Sequence, residues 1–147
     1  MFCCWKTAKK IRLEGAEKVD AKKFVVRIDI QDNKAKVIEV YDGDTVTVLF
    51  YSNGELCHAK VRLLGIDTPE MKGKTDQEKA KAVLARDALS KLLMNKVVTL
   101  SNTGIEKWGR ILADVWLDGL YVNDYMVKEG HAVPYGGSYG LTKTHVW

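Results

Sequence analysis

Cysteine is scarce and badly placed for cross-linking. The 147 residues hold three, of which Cys3 and Cys4 are adjacent and Cys57 stands alone. No disulfide framework fits that spacing, and the usage points to a reducing compartment, cytoplasmic or nuclear. His58, His131 and His145 are scattered, and no Cys/His spacing suits a tetrahedral zinc site. No apolar run approaches the ~18 residues of a membrane span, and residues 1–23 lack the continuous apolar stretch of a secretory signal. The Cys3-Cys4 pair has neither a Met-Gly start nor other anchoring signals beside it, which argues against acylation. Internal repeats and low-complexity segments are also missing.

Charge is present but unevenly spread. The net charge is +4, and residues 1–24 account for it with seven Lys or Arg against three acids. The remaining body is neutral, so polyanion binding there must come from local clusters, while the basic leader adds a salt-sensitive attraction at most. Residues 1–23 are read as a flexible solvated leader, 24–140 as one domain and 141–147 as a tail. A chain of this length buries roughly two thirds of the surface its unfolded form exposes.

Local signals give the order of elements. "FVVRIDI", residues 24–30, is β-branched enough for a strand, and "QDN" follows as a turn. "KAKVIEV" and "TVTVLF" flank the Asp-Gly of "YDGD", and Asn53-Gly54 joins the latter run to "LCHAKVRLL". In that third run Cys57, Ala59, Val61 and Leu63 share one face, with His58, Lys60 and Arg62 on the other. Thr75 and Glu78 fit a capping box opening a helix of about five turns, whose core stripe is read as Ala80, Val83, Leu84, Ala88 and Leu92. "KVVTLS" and "RILADVWL" are further strands, and "VNDYMVKEGHA" is a short helix with Asn123 as its cap and Gly130 as its end. The fold class expected is α+β, mainly β: a five-stranded OB-fold barrel with one long helix between strands 3 and 4, a short C-terminal helix and an extra N-terminal strand.

Chemistry concentrates in "RLLGIDTPE", residues Arg62 to Glu70. Asp44, Asp67 and Glu70 place three carboxylates, with carbonyl oxygens such as that of Thr68, at the ends of strands that adjacent hairpins set side by side. Hard cations take oxygen ligands of this kind. Read singly, Asp44 and Asp67 serve equally well as turn residues. Arg62 and Arg110 add two planar forks that match phosphate oxygens.

"YDGDTV", "RLLGIDTPE" and "KWGR", in this order around a capped helix, resemble the staphylococcal nuclease-like (thermonuclease) family over residues 34–135. The resemblance implies an OB-fold, Ca²⁺-dependent endonuclease that hydrolyses DNA and RNA, preferably single-stranded or frayed, acting as a monomer. It implies Asp44, Asp67 and the Thr68 carbonyl as metal ligands and Glu70 as the residue that positions or deprotonates water. Arg62 and Arg110 are implied as phosphate clamps, and Lys107, Trp108 and Tyr135 as contacts to nucleotide. Loss of the 5′ oxygen, leaving 3′-phosphate products, is expected. Trp108 stands where the family usually has tyrosine, which exchanges a phenol for a larger stacking face; Tyr139 competes with Tyr135 for the second aromatic. Two other classes fit parts of this pattern: a non-catalytic single-stranded nucleic-acid-binding module on the same barrel, and a protein-interaction domain whose acids and arginines pair on the surface.

Overall fold

Strand closure organises the molecule. The computed structural model describes Phe2–Cys3, residues 29–106 and residues 108–136. The leader beyond Phe2–Cys3, Phe24 to Ile28, Lys107, Tyr139 and the tail therefore lie outside the described residues. Strands β2 (Lys34–Val40), β3 (Thr45–Ser52) and β4 (Glu55–Leu63) form an antiparallel meander. Strand β6 (Val97–Ile105) pairs antiparallel with both β2 and β7 (Ile111–Leu117). The ring closes where β7 meets β4 in parallel, with Val61 opposite Ile111 and Leu63 opposite Ala113. This is the five-stranded mixed barrel the sequence implied.

The turns work as the residues require. Asn53 and Gly54 both hold positive φ, 50° and 79°, the pattern that matches the right-handed twist of a two-residue hairpin. The ladder between β3 and β4 then runs unbroken from Ser52 opposite Glu55 to Thr45 opposite Arg62. Bulges near Ile38 and Asn102 interrupt β2 and β6, adding the local bend that closure demands. Alternation fills the interior with Val37, Val46, Val48, Val61, Val98, Leu100 and Val115, all at or below 1 % exposed. Full burial of such a side chain contributes about 1.5–3 kcal/mol.

Among the described residues, four short strands lie beyond those the sequence predicts. Strand β1 (Phe2–Cys3) pairs antiparallel with β4, Phe2 opposite His58 and Cys3 opposite Cys57. By contrast Asp29 and Ile30 belong to no strand; the chain there enters a 3₁₀ turn, Gln31–Asn33, with Asp32 and Asn33 at positive φ. Strand β5 (Ile66–Asp67) pairs with β9 (Val133–Pro134). A further pair, β8 (Leu120–Tyr121), folds back on β7 through Asp118-Gly119.

Helix α1 (Asp76–Leu93) has the expected span and cap: Glu78 N donates to Thr75 Oγ1 at 3.1 Å. The return half of the capping box shifts by one residue, since Glu78 Oε2 accepts from Lys74 N at 2.9 Å. Its buried stripe corrects the expected one. Ala82, Ala85, Leu89 and Leu93 face the core, while Ala80, Val83 and Leu84 are exposed and Ala88 and Leu92 half-buried. Proximity explains the choice: a Cβ on Gly43 would stand 2.7 Å from Ala85 Cβ and 2.9 Å from Thr68 Cγ2. Where helix and barrel approach so closely, only small side chains fit, and Leu84 turns outward.

Helix α2 (Val122–Lys128) also departs from expectation, because Tyr121 occupies the cap and Asn123 lies inside. Asn123 is 1 % exposed. Its Nδ2 donates to Leu64 O at 2.8 Å and Ala113 O at 3.2 Å, and its Oδ1 accepts from Val115 N at 2.9 Å. A buried amide that satisfies three backbone groups is a structural rivet between α2, β7 and the loop after β4. Gly130, at φ 73°, ends the helix as expected.

Candidate active site

The parallel seam between β4 and β7 sets two arginines at one end of the barrel. Arg62 pairs in register with Leu112, two residues after Arg110. On its other side Arg62 faces Thr45, the neighbour of Asp44. The tight turn Tyr41–Asp44 is closed by Tyr41 N donating to Thr45 O at 2.9 Å, and Asp44 N donates to Asp42 Oδ1 at 3.1 Å. Asp67 comes from β5, whose backbone β9 holds from the far side. The result is a cleft of about 660 Å³ walled by Asp44, Arg62, Thr68, Glu70, Trp108, Arg110 and Tyr135, with Asp42 and Glu106 among them.

Asp44 and Asp67 are each 3 % exposed and Thr68 4 %. Arg62 bridges the two acids: Nη1 pairs with Asp44 Oδ2, and Nη2 lies 3.1 Å from Asp67 Oδ1 and donates to Ile66 O at 3.2 Å. Asp44 Oδ1 also accepts from Thr45 Oγ1 at 2.8 Å. Burial nevertheless pushes the Asp44 carboxyl up to about 6, with Asp42 adding to the rise against the opposing pull of Arg62. Burial works against the charge on Arg62 too, yet the Asp44 and Asp67 carboxylates outweigh it and hold the guanidinium above its ordinary value.

The cleft's other half is more open. Arg110 Nε pairs with Glu106 Oε1, Glu106 N donates to Arg110 O at 3.0 Å, and Gly109 N donates to Glu106 O at 2.9 Å, so Glu106, Gly109 and Arg110 are tied together just before β7. Trp108 is 74 % exposed on the rim. Tyr135 lies over Arg62, with the guanidinium carbon 5.9 Å from the ring centroid, and its N donates to Gly65 O at 2.8 Å. Glu70 is exposed at the cleft edge.

Of the residues singled out in the sequence, Asp44, Arg62, Thr68, Glu70, Trp108, Arg110 and Tyr135 share this cleft, and Asp67 is tied to it through Arg62; Lys107 lies outside the described residues. Two further acids went unread. In the sequence Asp42 reads as turn chemistry alone, and Glu106 carries the one available signal, a spacing of four residues before Arg110. The donor set suits a hard cation in part. Among the described residues no three His, Cys, Asp or Glu side chains gather closely enough to hold a metal by themselves. Two buried carboxylates with oxygen donors nearby remain, and burial strains the charge of Asp44 in the way a bound cation relieves.

A five-stranded barrel of this topology, carrying acids and arginines where β4 meets β7, defines an OB-type α+β protein with a polar end cleft. The family model described as staphylococcal nuclease homologue matches residues 60–145, and the chain belongs to that family. The match begins at Lys60, so "YDGDTV" falls outside it, and Asp44 joins the cleft by its contacts. An uncharacterized endonuclease of Haemophilus influenzae is 35 % identical over 71 % of this chain and 54 % of its own length. One of Escherichia coli is 33 % identical over 71 % of this chain and 62 % of its own. The thermonuclease of Staphylococcus hyicus is 36 % identical over 66 % of this chain and 56 % of its own. The chain thus matches little more than half the length of these curated relatives. No described helix is long and apolar enough to cross a membrane.

Proposed function

We propose that this protein is a calcium-dependent nuclease that hydrolyses phosphodiesters of DNA and RNA with little sequence preference and acts as a monomer. One observation carries the reading: the parallel β4–β7 seam brings Arg62 and Arg110 to the cleft that Asp44 and Thr68 also line. Two guanidinium groups beside buried carboxylates have no apolar ligand to serve. They match a phosphate held between forks.

Asp44, Asp67 and the Thr68 carbonyl are the groups that would hold the cation. When bound, Ca²⁺ supplies positive charge against which phosphoryl oxygens and developing negative charge are stabilised. The chain's own side chains do the rest. Arg62 commits three of its five N–H donors to Asp44, Asp67 and Ile66 O, and a remaining N–H donates to the substrate phosphate. Arg110, presented by the Glu106 turn at the start of the neighbouring strand, neutralises the transferring phosphoryl group. Glu70, at the open edge, orients a water for in-line attack and accepts its proton. As the water oxygen bonds to phosphorus the P–O5′ bond breaks, and the 5′ oxygen takes a proton from solvent water, giving 5′-hydroxyl and 3′-phosphate ends. Trp108 and Tyr135, with Lys107, hold the nucleotide, and stacking on Trp108 needs an unpaired base, hence the preference for single-stranded or frayed substrate.

Purified protein incubated with single-stranded DNA and Ca²⁺, with and without chelator and beside Glu70→Gln, tests this. Chelator-sensitive cleavage that collapses in the variant, with 3′-phosphate ends on the products, is the expected result. Binding without cleavage in every sample identifies a nucleic-acid-binding module instead.

A further inference from the structure

Outside the cleft, the face of β4 that carries Arg62 also carries Lys60. Alternation along the strand buries Ala59, Val61 and Leu63 and leaves Lys60 exposed two residues before Arg62, a separation of about 6.6 Å along a strand. Lys60 is not left to wander. Its Nζ stands 5.0 Å from the ring centroid of Tyr41, and that ring, half exposed, belongs to the turn whose Asp42 and Asp44 line the cleft. A solvated lysine usually samples many rotamers; one seated on a ring loses less freedom when it meets an anion.

We infer that Lys60 and Tyr41 form a second nucleotide subsite, in which the ammonium takes the phosphate next to the one held at Arg62 and the phenol ring supports the attached base. The inference rests on the nucleic-acid reading of the cleft and extends it by one residue of substrate. Spacing favours it: side chains two apart on one strand face advance by a distance comparable to one nucleotide of an extended single strand. The surroundings give the track a direction. Across the sheet from Lys60 lies its register partner Thr47, then Glu39, whose carboxylate accepts from Thr47 Oγ1 at 2.8 Å. A phosphate drifting toward β2 meets that carboxylate, so the strand is kept along β4. Duplex DNA cannot place a base on Tyr41 without opening, which makes the subsite selective for single strands.

Binding measured in chelator, where cleavage does not intervene, separates this subsite from the reaction. Fluorescein-labelled dT8 and dT2 are titrated at several salt concentrations against the wild type, Lys60→Gln, Tyr41→Ala, Tyr41→Phe and Lys81→Gln, the last on the exposed side of α1. Loss of one phosphate contact lowers the log–log salt slope for a single strand by about 0.7. Lys60→Gln should therefore show that smaller slope and roughly fivefold weaker dT8 binding, with dT2 held as by the wild type. Tyr41→Ala should weaken dT8 at least as much and Tyr41→Phe should restore it. Unchanged dT8 affinity and slope in Lys60→Gln, an equal drop in Lys81→Gln, or no dT8 binding by the wild type overturns the subsite. If this pattern holds while the wild type with Ca²⁺ cuts nothing, the subsite stands and the nuclease reading fails.

Discussion

Arg62 Nη2 stands 3.1 Å from Asp67 Oδ1, so a residue proposed to grip substrate is also the internal counter-charge of a carboxylate proposed to grip metal. Its side chain is 14 % exposed, against 31 % for Arg110. The two arginines should therefore fail in different ways.

Arg62→Ala leaves Asp44 and Asp67 buried without their cation and should cost about 3–5 kcal/mol of stability. Arg110→Ala, whose partner Glu106 is nearer solvent, should unfold almost as the wild type does. Lysine at either position keeps charge and loses the fork, with turnover falling about 10² to 10⁵-fold. Urea melts beside cleavage rates read both effects; turnover unchanged within threefold would exclude the clamp role.

Asp44 should make stability depend on acid. Its carboxyl titrates near 6 when folded because burial disfavours the charge, and near 3.8 when unfolded. Between those values the folded chain holds a proton the unfolded chain has lost, so raising pH favours unfolding. In chelator, the Asp44 contribution should fall as pH rises from about 4 to 6, by on the order of 3 kcal/mol. Asp44→Asn should flatten that slope in denaturant titrations, and Ca²⁺ should oppose it in the wild type.

Gly43→Ala tests the close approach of α1. The added methyl meets Ala85 and Thr68 below 3.0 Å, and since one of these is a helix side chain and the other borders Asp67, something must move. Overpacking of this kind costs about 1–3 kcal/mol. Activity should fall more than stability does, because Thr68 lines the cleft; pairing Gly43→Ala with Ala85→Gly should recover part of both.

Asn123→Leu removes a donor pair and an acceptor from three backbone partners inside the protein. Each buried orphan costs roughly 1–3 kcal/mol, so this variant should be among the least stable single changes. Asn123→Ser, which restores only part of the network, should fall between in thermal unfolding.

Much of the architecture was legible because local chemistry coincided with topology. Asn53-Gly54 needed positive φ, Val and Ile alternated, and Thr75 capped a helix, so β3, β4 and α1 could be drawn from residues alone. What escaped depends on partners distant in the chain. Gly43 was read as turn chemistry, whereas its close contact is with α1. That same approach reverses the apparent helix stripe, since Ala82 and Ala85 carry little hydrophobic signal and Leu84 carries much. Asn123 looked like a cap because nothing local reveals that Leu64 and Ala113 await it. For the site, the motifs pick out residues that line one cleft, but spacing could not reveal that Arg62 and Arg110 already hold acids of their own.

Strand β9 carries a consequence for assembly. Val133 pairs with Asp67, and Tyr135 N donates to Gly65 O at 2.8 Å, so the segment bearing one proposed ligand is clamped by chain made much later. During synthesis the barrel's strands can all emerge before that clasp exists. A nascent polypeptide halted short of Val133 thus has Ile66 and Asp67 still waiting for their partner strand.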